Sequence, residues 1–413
     1  MISRVQRPPS CKADGHRHYV VALVLTLLIW LWPDAGPASS LVTNWGGRFK
    51  SLNLRVEPAP TRTSTGGELS SNSLRLSMQA EMPYGLVLET ALETSLLATH
   101  PADLVSLPDS TGNRALDLTE IWGEGNALSA QLQVDRLSLS GRSEYLEWAV
   151  GRQAIGFGRI LLVSPLDIIA PFAPDAIDTE IRPGVDAIKL QGYYGQAIEI
   201  GLYAVLGDRV SDSSLLLSFS GNTGGTDVLA MTGTLRDRPM IGFGLTYDVG
   251  GLGLNVEAAG YAGKLVSSPG GDLRHIFSIA ALECWYRFSG GLILTGQYLY
   301  NGAGVDHPAD YGKALESAPI KEGMSFLLGQ HYLLLAPSYE IHPLATLSGL
   351  IIWNLQDYSC LLRPALDISL SDNVSLMIFW AWNLGDAPEN GTLARSEFGA
   401  RGDSGGFYLS WHF

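Results

Sequence analysis

The feature that most constrains this chain is a hydrophobic period of two that runs from about residue 44 to the last residue. That period puts alternate side chains on opposite faces of a strand. In residues 86–93, Leu86, Leu88 and Leu92 fall on one face and Glu89 and Glu93 on the other. Ile198, Ile200 and Leu202 oppose Glu199, and Val374, Leu376, Ile378, Trp380 and Trp382 alternate with Ser375, Met377, Phe379, Ala381 and Asn383. In residues 362–368, Arg363 and Asp367 share the face opposite large apolar positions. Short turns fall near Met82-Pro83, Ser140-Gly141, Gly195, residues 222–225, Gly250-Gly251, Gly290-Gly291, His342-Pro343 and Ser371-Asp372. The other connections lie near 57–71, 95–127, 153–182, 206–213, 235–238, 263–272, 301–328, 355–358 and 385–404. Eight short turns and nine other connections make eighteen strands, or sixteen if a pair is miscounted, with both chain ends on the short-turn side.

An all-β chain with this many hairpins has few places to go. A β-sandwich alternates too, but rarely sustains so many strands in one domain, and no fixed-length repeat favours a solenoid. Charged residues make up 16% of the chain, against roughly 25% in an average soluble domain, while hydrophobic residues reach 46%. A disordered chain is excluded by that apolar content, and a nucleic-acid binder by the net charge of -14 without a basic patch. Lipid offers no hydrogen-bond partners, so a sheet there must close on itself. The expected fold is a transmembrane antiparallel β-barrel of about 18 strands (16–18), apolar toward lipid and polar toward a lumen.

The amino terminus gives an address. Arg4, Arg7, Lys12 and Arg17 precede an apolar run over residues 19–32, and small residues follow to Ser40. Residues 1–40 read as an export signal and 41–413 as the barrel, which points to the outer membrane of a Gram-negative bacterium. Cys284 and Cys360 lie far apart in two different strands and show no metal-ligand spacing; they are expected to be unpaired. Tyr286, Phe288, Tyr298, Tyr300, Trp380 and Trp382 sit near strand ends and suit interfacial girdles.

Two segments carry a resemblance. In the last nine residues Phe407, Leu409, Trp411 and Phe413 share one face, and the sequence stops at Phe413. This resembles the terminal strand of bacterial outer-membrane barrels, which implies recognition by the barrel assembly machinery. Gly151-Arg152-Gln153-Ala154-Ile155-Gly156-Phe157-Gly158, then Ser164-Pro165-Leu166-Asp167 and Ala170-Pro171-Phe172, stand between Asp135-Arg136-Leu137 and Pro183-Gly184-Val185-Asp186. Residues 134–190 resemble proteobacterial outer-membrane barrels of the porin-like and alginate-export-like type, with Phe157 where Trp and Ser164 where Asn are usual. The resemblance implies an outer-membrane channel.

The same segment can be read physically. Pro165, Pro171 and Pro174 prevent strand pairing, while residues 161–163 and 168–169 are too apolar for a solvated loop. A loop over 153–182 is therefore expected to fold inward and narrow the lumen, carrying Arg152, Arg159, Asp167, Asp175, Asp178, Glu180 and Arg182. The same charges could instead pair with one another and hold the loop. Parity assigns Arg75, Glu89, Glu93, Gln131, Gln133, Asp135, Glu147, Lys189, Glu199, Glu257, Glu283, Arg287, Arg363 and Asp367 to the lumen wall. Acids outnumber bases there, which favours cations. No nucleophile elbow, metal motif or phosphate loop appears, so neither an enzyme nor a cofactor is expected. The expectation is a passive channel for small hydrophilic solutes or ions, surrounded by outer-membrane lipid. The alternatives are a dedicated polysaccharide-export barrel and a closed structural or adhesive barrel.

Overall fold

The computed structural model describes residues 42–60, 65–102, 104, 113–195, 197–266, 268–389 and 394–413. The expected export signal, residues 1–40, lies outside the described residues. The strands are β1 (Val42–Val56), β2 (Gly67–Met82), β3 (Leu86–His100), β4 (Thr119–Trp122), β5 (Leu128–Arg142), β6 (Leu146–Gln153) and β7 (Val185–Tyr194). They continue with β8 (Ile198–Leu206), β9 (Ser214–Thr223), β10 (Thr226–Leu235), β11 (Arg238–Val249), β12 (Leu252–Ala262) and β13 (Ile276–Arg287). The last are β14 (Ile293–Asn301), β15 (His331–His342), β16 (Ala345–Asn354), β17 (Cys360–Ser371), β18 (Val374–Leu384) and β19 (Ser404–His412).

Every pairing is antiparallel between neighbours, and β1 closes the ring: Phe49 lies opposite Leu74 on β2 and opposite Trp411 on β19. Eighteen strands make the wall, as the alternation predicts. The four-residue β4 is extra. It pairs with β5 at residues 130–133, along the edge left free where β6 ends. Its brevity leaves no periodic signal in the sequence. Seven of the eight short turns fall where the turn residues put them; the one expected at Ser140-Gly141 lies at residues 143–145 instead, because β5 stays paired with β6 as far as Arg142. The tightest connection on the longer-loop side is Arg236-Asp237, both with positive φ (49° and 64°), the double left-handed requirement of a two-residue hairpin.

The outer face is a band of exposed apolar side chains, among them Leu74, Val150, Ile188, Leu202, Leu217, Phe243, Leu282, Ile378 and Phe407. In water such a band would be a large liability; in hydrocarbon it is the solvent-matched surface. Tyr286 and Phe288 form an edge-to-face pair at 5.0 Å near the short turns. Tyr298, Tyr300, Trp380 and Trp382 lie at the other ends of their strands, so aromatic positions mark both rims. Cys284 and Cys360 are both free.

The inner wall has two sectors. From β8 to β17 it is largely apolar, with Tyr203, Leu216, Met231, Ile279, Leu299, Leu334 and Ile352 in one buried cluster together with Ile155, Ile160, Leu166, Ile168 and Ile169 of the β6–β7 connection. Leu166 is wholly buried, and Gly242 and Gly244 on β11 make its room. A Cβ at Gly242 would stand 2.6 Å from a Leu166 methyl. Full burial of each such aliphatic side chain is worth about 1.5–3 kcal/mol. From β1 to β5 the inner wall is charged instead, with Arg48, Lys50, Arg75, Glu93, Asp135 and Arg136.

Candidate functional site: the loop across the lumen

The β6–β7 connection leaves the wall at Gln153, circles the inside of the barrel and rejoins it at Val185. Its departure depends on Gly151. There φ is 116°, and a Cβ would lie 2.2 Å from the Leu137 carbonyl, so only glycine fits. Phe157 then packs edge-on against Tyr203 of β8 at 4.8 Å.

From Arg159 the chain is held by wall side chains that accept from its backbone. Glu257 on β12 accepts from the amides of Arg159 (2.6 Å), Ile160 (3.2 Å) and Leu166 (3.3 Å), and from the Ser164 hydroxyl. Glu283 on β13 accepts from the amides of Leu161 (3.0 Å) and Leu162 (3.3 Å). Gln297 on β14 brackets Val163, accepting from its N–H (3.0 Å) and donating to its carbonyl (2.6 Å). Prolines and irregular backbone bar this stretch from sheet pairing, so its amides need other acceptors when buried. Three consecutive strands supply them.

The second half of the circuit uses charge. Arg363 on β17 donates to the carbonyls of Asp175 (2.6 Å) and Ala176 (3.4 Å). Asp178 pairs with Lys50 of β1, and Glu180 with Arg48 of β1 and with His412 of β19 at 2.9 Å. Arg182 turns back on its own loop, meeting Asp167 (2.6 Å) and the Ala170 carbonyl (2.8 Å), with its guanidinium 5.4 Å over Phe172. Burial pushes the Asp167 carboxyl above its ordinary range, and Arg182 opposes that. At the return, the Gly184 amide donates to Asp135 (2.9 Å) and the Gly184 carbonyl accepts from Arg114 (2.9 Å). Asp135 also takes Arg75 (2.5 Å), Arg114 (3.3 Å) and Arg136. Between the loop, β12–β17 and residues 324–327 of the β14–β15 connection lies a cavity of about 610 Å³, with Arg159, Asp167, Arg182 and Arg363 on its lining.

The expected loop and wall residues meet partners rather than forming a bare ring of charge. Arg152 is corrected outright. It is 1% exposed, sealed in the wall by Asp186 (2.7 Å) and the carbonyls of Val134 (2.9 Å) and Leu116, and cannot face a passage. Arg159 stands off Asp227 at 4.0 Å, and Asp175 off Arg401 at 3.5 Å. On the wall, Lys189 pairs with Glu147 (3.0 Å), Glu199 accepts from Gln191 (2.6 Å), Glu89 lies 3.8 Å from Arg136, and Asp367 accepts from Ser348 (3.0 Å). Arg287 is exposed at the short-turn end of β13, apart from the loop. Gln133 accepts from Arg114 (3.0 Å), and Gln131 is buried on the same face of β5. The acid surplus expected of the wall is largely spent, since Glu257 and Glu283 bind amides and Arg48, Lys50, Arg114 and Arg136 join the basic side. Arg48 and Lys50 were missed, although their spacing of two, opposite Phe49, puts them on the lumen parity.

Above the loop the external connections interlock. Arg236, buried, reaches Asn113 (3.2 Å), the Ile169 carbonyl (3.2 Å) and the Glu322 carbonyl. Glu397 accepts from the Leu328 amide (3.1 Å), the Tyr332 hydroxyl (2.5 Å) and the Asn354 amide group (3.0 Å). Burial raises the Glu397 carboxyl above its ordinary range. Among the described residues no group of His, Cys, Asp or Glu could hold a metal ion.

No protein-family model and no curated protein matches the sequence. Solved structures do match in shape. Acinetobacter baumannii OccAB4 superposes with a TM-score of 0.56 at 9% identity, over 92% of this chain and 100% of that one. A BenF-like porin from Pseudomonas fluorescens Pf-5 gives 0.55 at 11% identity, over 92% and 100%. Pseudomonas aeruginosa OpdL gives 0.53 at 12% identity, over 90% and 98%. The chain therefore shares the closed eighteen-stranded barrel fold of these proteins along nearly its whole described length.

Proposed function

We propose that the protein is a porin-like outer-membrane channel through which small hydrophilic solutes or ions diffuse passively. The observation that carries this reading is the closed eighteen-stranded wall, apolar outside, whose lumen is crossed by one anchored loop. A barrel of this strand number encloses space beyond what its own side chains fill, and the loop sets how much remains. Arg159, Asp167, Asp175, Asp178, Glu180 and Arg182 are its narrowing charges in this reading, and the wall charges set the field along the path. That charge is of mixed sign and mostly paired. An export barrel for a charged polymer would call for a continuous stripe of one sign, so diffusion is the better reading. The name of the Pseudomonas fluorescens relative, a BenF-like porin, agrees. Residues 1–40 serve as the export signal, and the alternating face of Phe407, Leu409, Trp411 and Phe413 is the segment offered to the assembly machinery. Phe413 closes the ring by exchanging backbone hydrogen bonds with Gly47 (2.7 and 2.9 Å).

A liposome-swelling assay tests this. Vesicles holding the folded protein swell faster than empty ones in small sugars and amino acids, with rates falling as the solute grows. Swelling no faster than in empty vesicles for every solute refutes the channel.

A further inference from the structure

The outer wall is not apolar all the way round. On β1, β2 and β3 the alternation that sends Arg48, Arg75 and Glu93 into the lumen turns Ser51, Asn53, Arg55, Glu68, Ser70 and Asn72 outward. The register stacks them in three cross-strand rows. Ser51 lies opposite Asn72, Asn53 opposite Ser70, and Arg55 opposite Glu68, which faces His100 on β3. Elsewhere the outer faces nearer the loop ends are mostly apolar, with Leu215 and Leu217 on β9, Ile241 and Phe243 on β11, and Ile378 and Trp382 on β18, broken by single polar positions such as Thr232 and Thr234 on β10 and Ser278 on β13. Below the three rows the same strands return to Leu74, Leu76 and Trp45. The polar rows are therefore a local departure in one sector of the wall. A hollow of about 460 Å³ lies on them, bordered by Asn53, Arg55, Glu68, Ser70, His100 and Gly405.

We propose that this β1–β3 sector is the surface on which a second copy of this chain docks within the membrane. The proposal rests on the membrane placement of the outer wall and not on any passage inside it. Hydrocarbon cannot satisfy an amide. Asn53 donates to Ser51 (3.1 Å) and Asn72 to Ser70 (3.2 Å), which leaves each amide a carbonyl oxygen and a second N–H facing outward. A lipid headgroup could serve the row of Arg55, Glu68 and His100 at the rim. The row of Ser51 and Asn72 lies four residues farther down the strand, roughly 13 Å along it and about 10 Å along the barrel axis at the tilt of barrel strands, on the side of the acyl chains, which carry no donors or acceptors. Side chains of another barrel can reach that depth.

Like copies suit each other here. Barrels in one membrane stand the same way up, so their symmetry axis runs along the barrel and each row meets its own kind at its own height. Amides and hydroxyls both donate and accept, so identical rows can pair. The same rotation sets the β1 flank of one copy against the β2–β3 flank of the next, which brings Arg55 toward Glu68. The small Ala98 on β3, opposite Ser70, lets a second wall come close on that side.

Two measurements test this. In a Cys11→Ser, Cys284→Ser, Cys360→Ser background, Asn72→Cys on β2 and Leu217→Cys on β9 are oxidised in native membranes. The expected result is a disulfide-linked dimer from Asn72→Cys and none from Leu217→Cys. Light scattering in mild detergent should give a multiple of the chain mass for the unaltered protein. The quadruple variant Ser51→Ala, Asn53→Ala, Ser70→Ala, Asn72→Ala should give a single chain mass while keeping the heat-modifiable mobility of a folded barrel. A single chain mass for the unaltered protein with no crosslink overturns the proposal, as does a multiple mass that the quadruple variant leaves unchanged. Lipopolysaccharide that stays with a monomeric protein and is lost from the quadruple variant would assign the rows to lipid, and also overturns it.

Discussion

Glu257→Ala probes the anchoring of the loop most sharply. One carboxylate, 2% exposed on β12, serves three backbone amides and the Ser164 hydroxyl within residues 159–166. Hydrogen bonds to a charged acceptor are worth about 1.5–3 kcal/mol each when the partner would otherwise be buried unpaired. Water entering the vacated space offsets part of that, so the net loss is on the order of 4 kcal/mol, or about a thousandfold in the ratio of docked to released loop. Glu283 and Gln297 still hold residues 161–163, so opening concentrates at the flanks. Hydrogen exchange read by mass spectrometry in detergent micelles measures this directly. Protection of a 158–168 peptide should collapse in Glu257→Ala while strand peptides of β15 and β16 keep theirs. Glu257→Gln, which keeps the shape and an acceptor oxygen but not the charge, should lose only about 1–2 kcal/mol. Unchanged protection in Glu257→Ala, or equal losses in the two variants, refutes the reasoning.

The external ties give two further predictions. Arg236→Met leaves Asn113 and the Ile169 and Glu322 carbonyls without their shared donor, so exchange should rise together in peptides over 165–171 and 318–324. A rise in one alone would show that Arg236 does not couple the inner loop to the external connection. Glu397 gives a pH dependence of definite sign. Burial raises its carboxyl from an ordinary 4.5, against the pull of Arg401, so the closed arrangement binds the proton more tightly than the opened one. The stability of this cap is therefore fullest at and below the ordinary value and falls as pH rises through the raised one. After correction for intrinsic exchange, protection of residues 394–401 should be greater near about pH 5 than near about pH 8, and Glu397→Gln should flatten the difference. A slope of opposite sign, or one that survives in Glu397→Gln, counts against it.

Much of the fold was legible because a membrane barrel has to write itself in the sequence. Each wall strand needs an apolar outer face, so the alternation of Leu86, Leu88 and Leu92 with Glu89 and Glu93 recurs strand after strand, and turn residues punctuate it. The inward loop was legible for a related reason, since Pro165, Pro171 and Pro174 deny it a sheet while Ile168 and Ile169 deny it water. Its anchoring was not. Parity sends Glu257 and Glu283 to the lumen, but nothing local says that they accept backbone amides from a segment about a hundred residues earlier. The pairing of Lys50 with Asp178 likewise depends on how the ring closes. Arg152 was misplaced because its neighbour in space, residues 113–118, comes from a connection without periodic pattern. The polar rows on β1–β3 were in plain view as Ser51, Asn53, Ser70 and Asn72, but their significance needs the register that sets them side by side on the outside.

The central claim is that the cylinder holds a water-filled path narrowed by residues 154–184. Single-channel recording in planar bilayers tests it most directly, with the intact protein beside a variant lacking residues 160–176 and confirmed as a folded barrel by its heat-modifiable mobility. The account predicts discrete, stable current steps for the intact protein and larger steps for the shortened one. Bilayers that pass no current with either protein would contradict the path, and steps of equal size would contradict the narrowing.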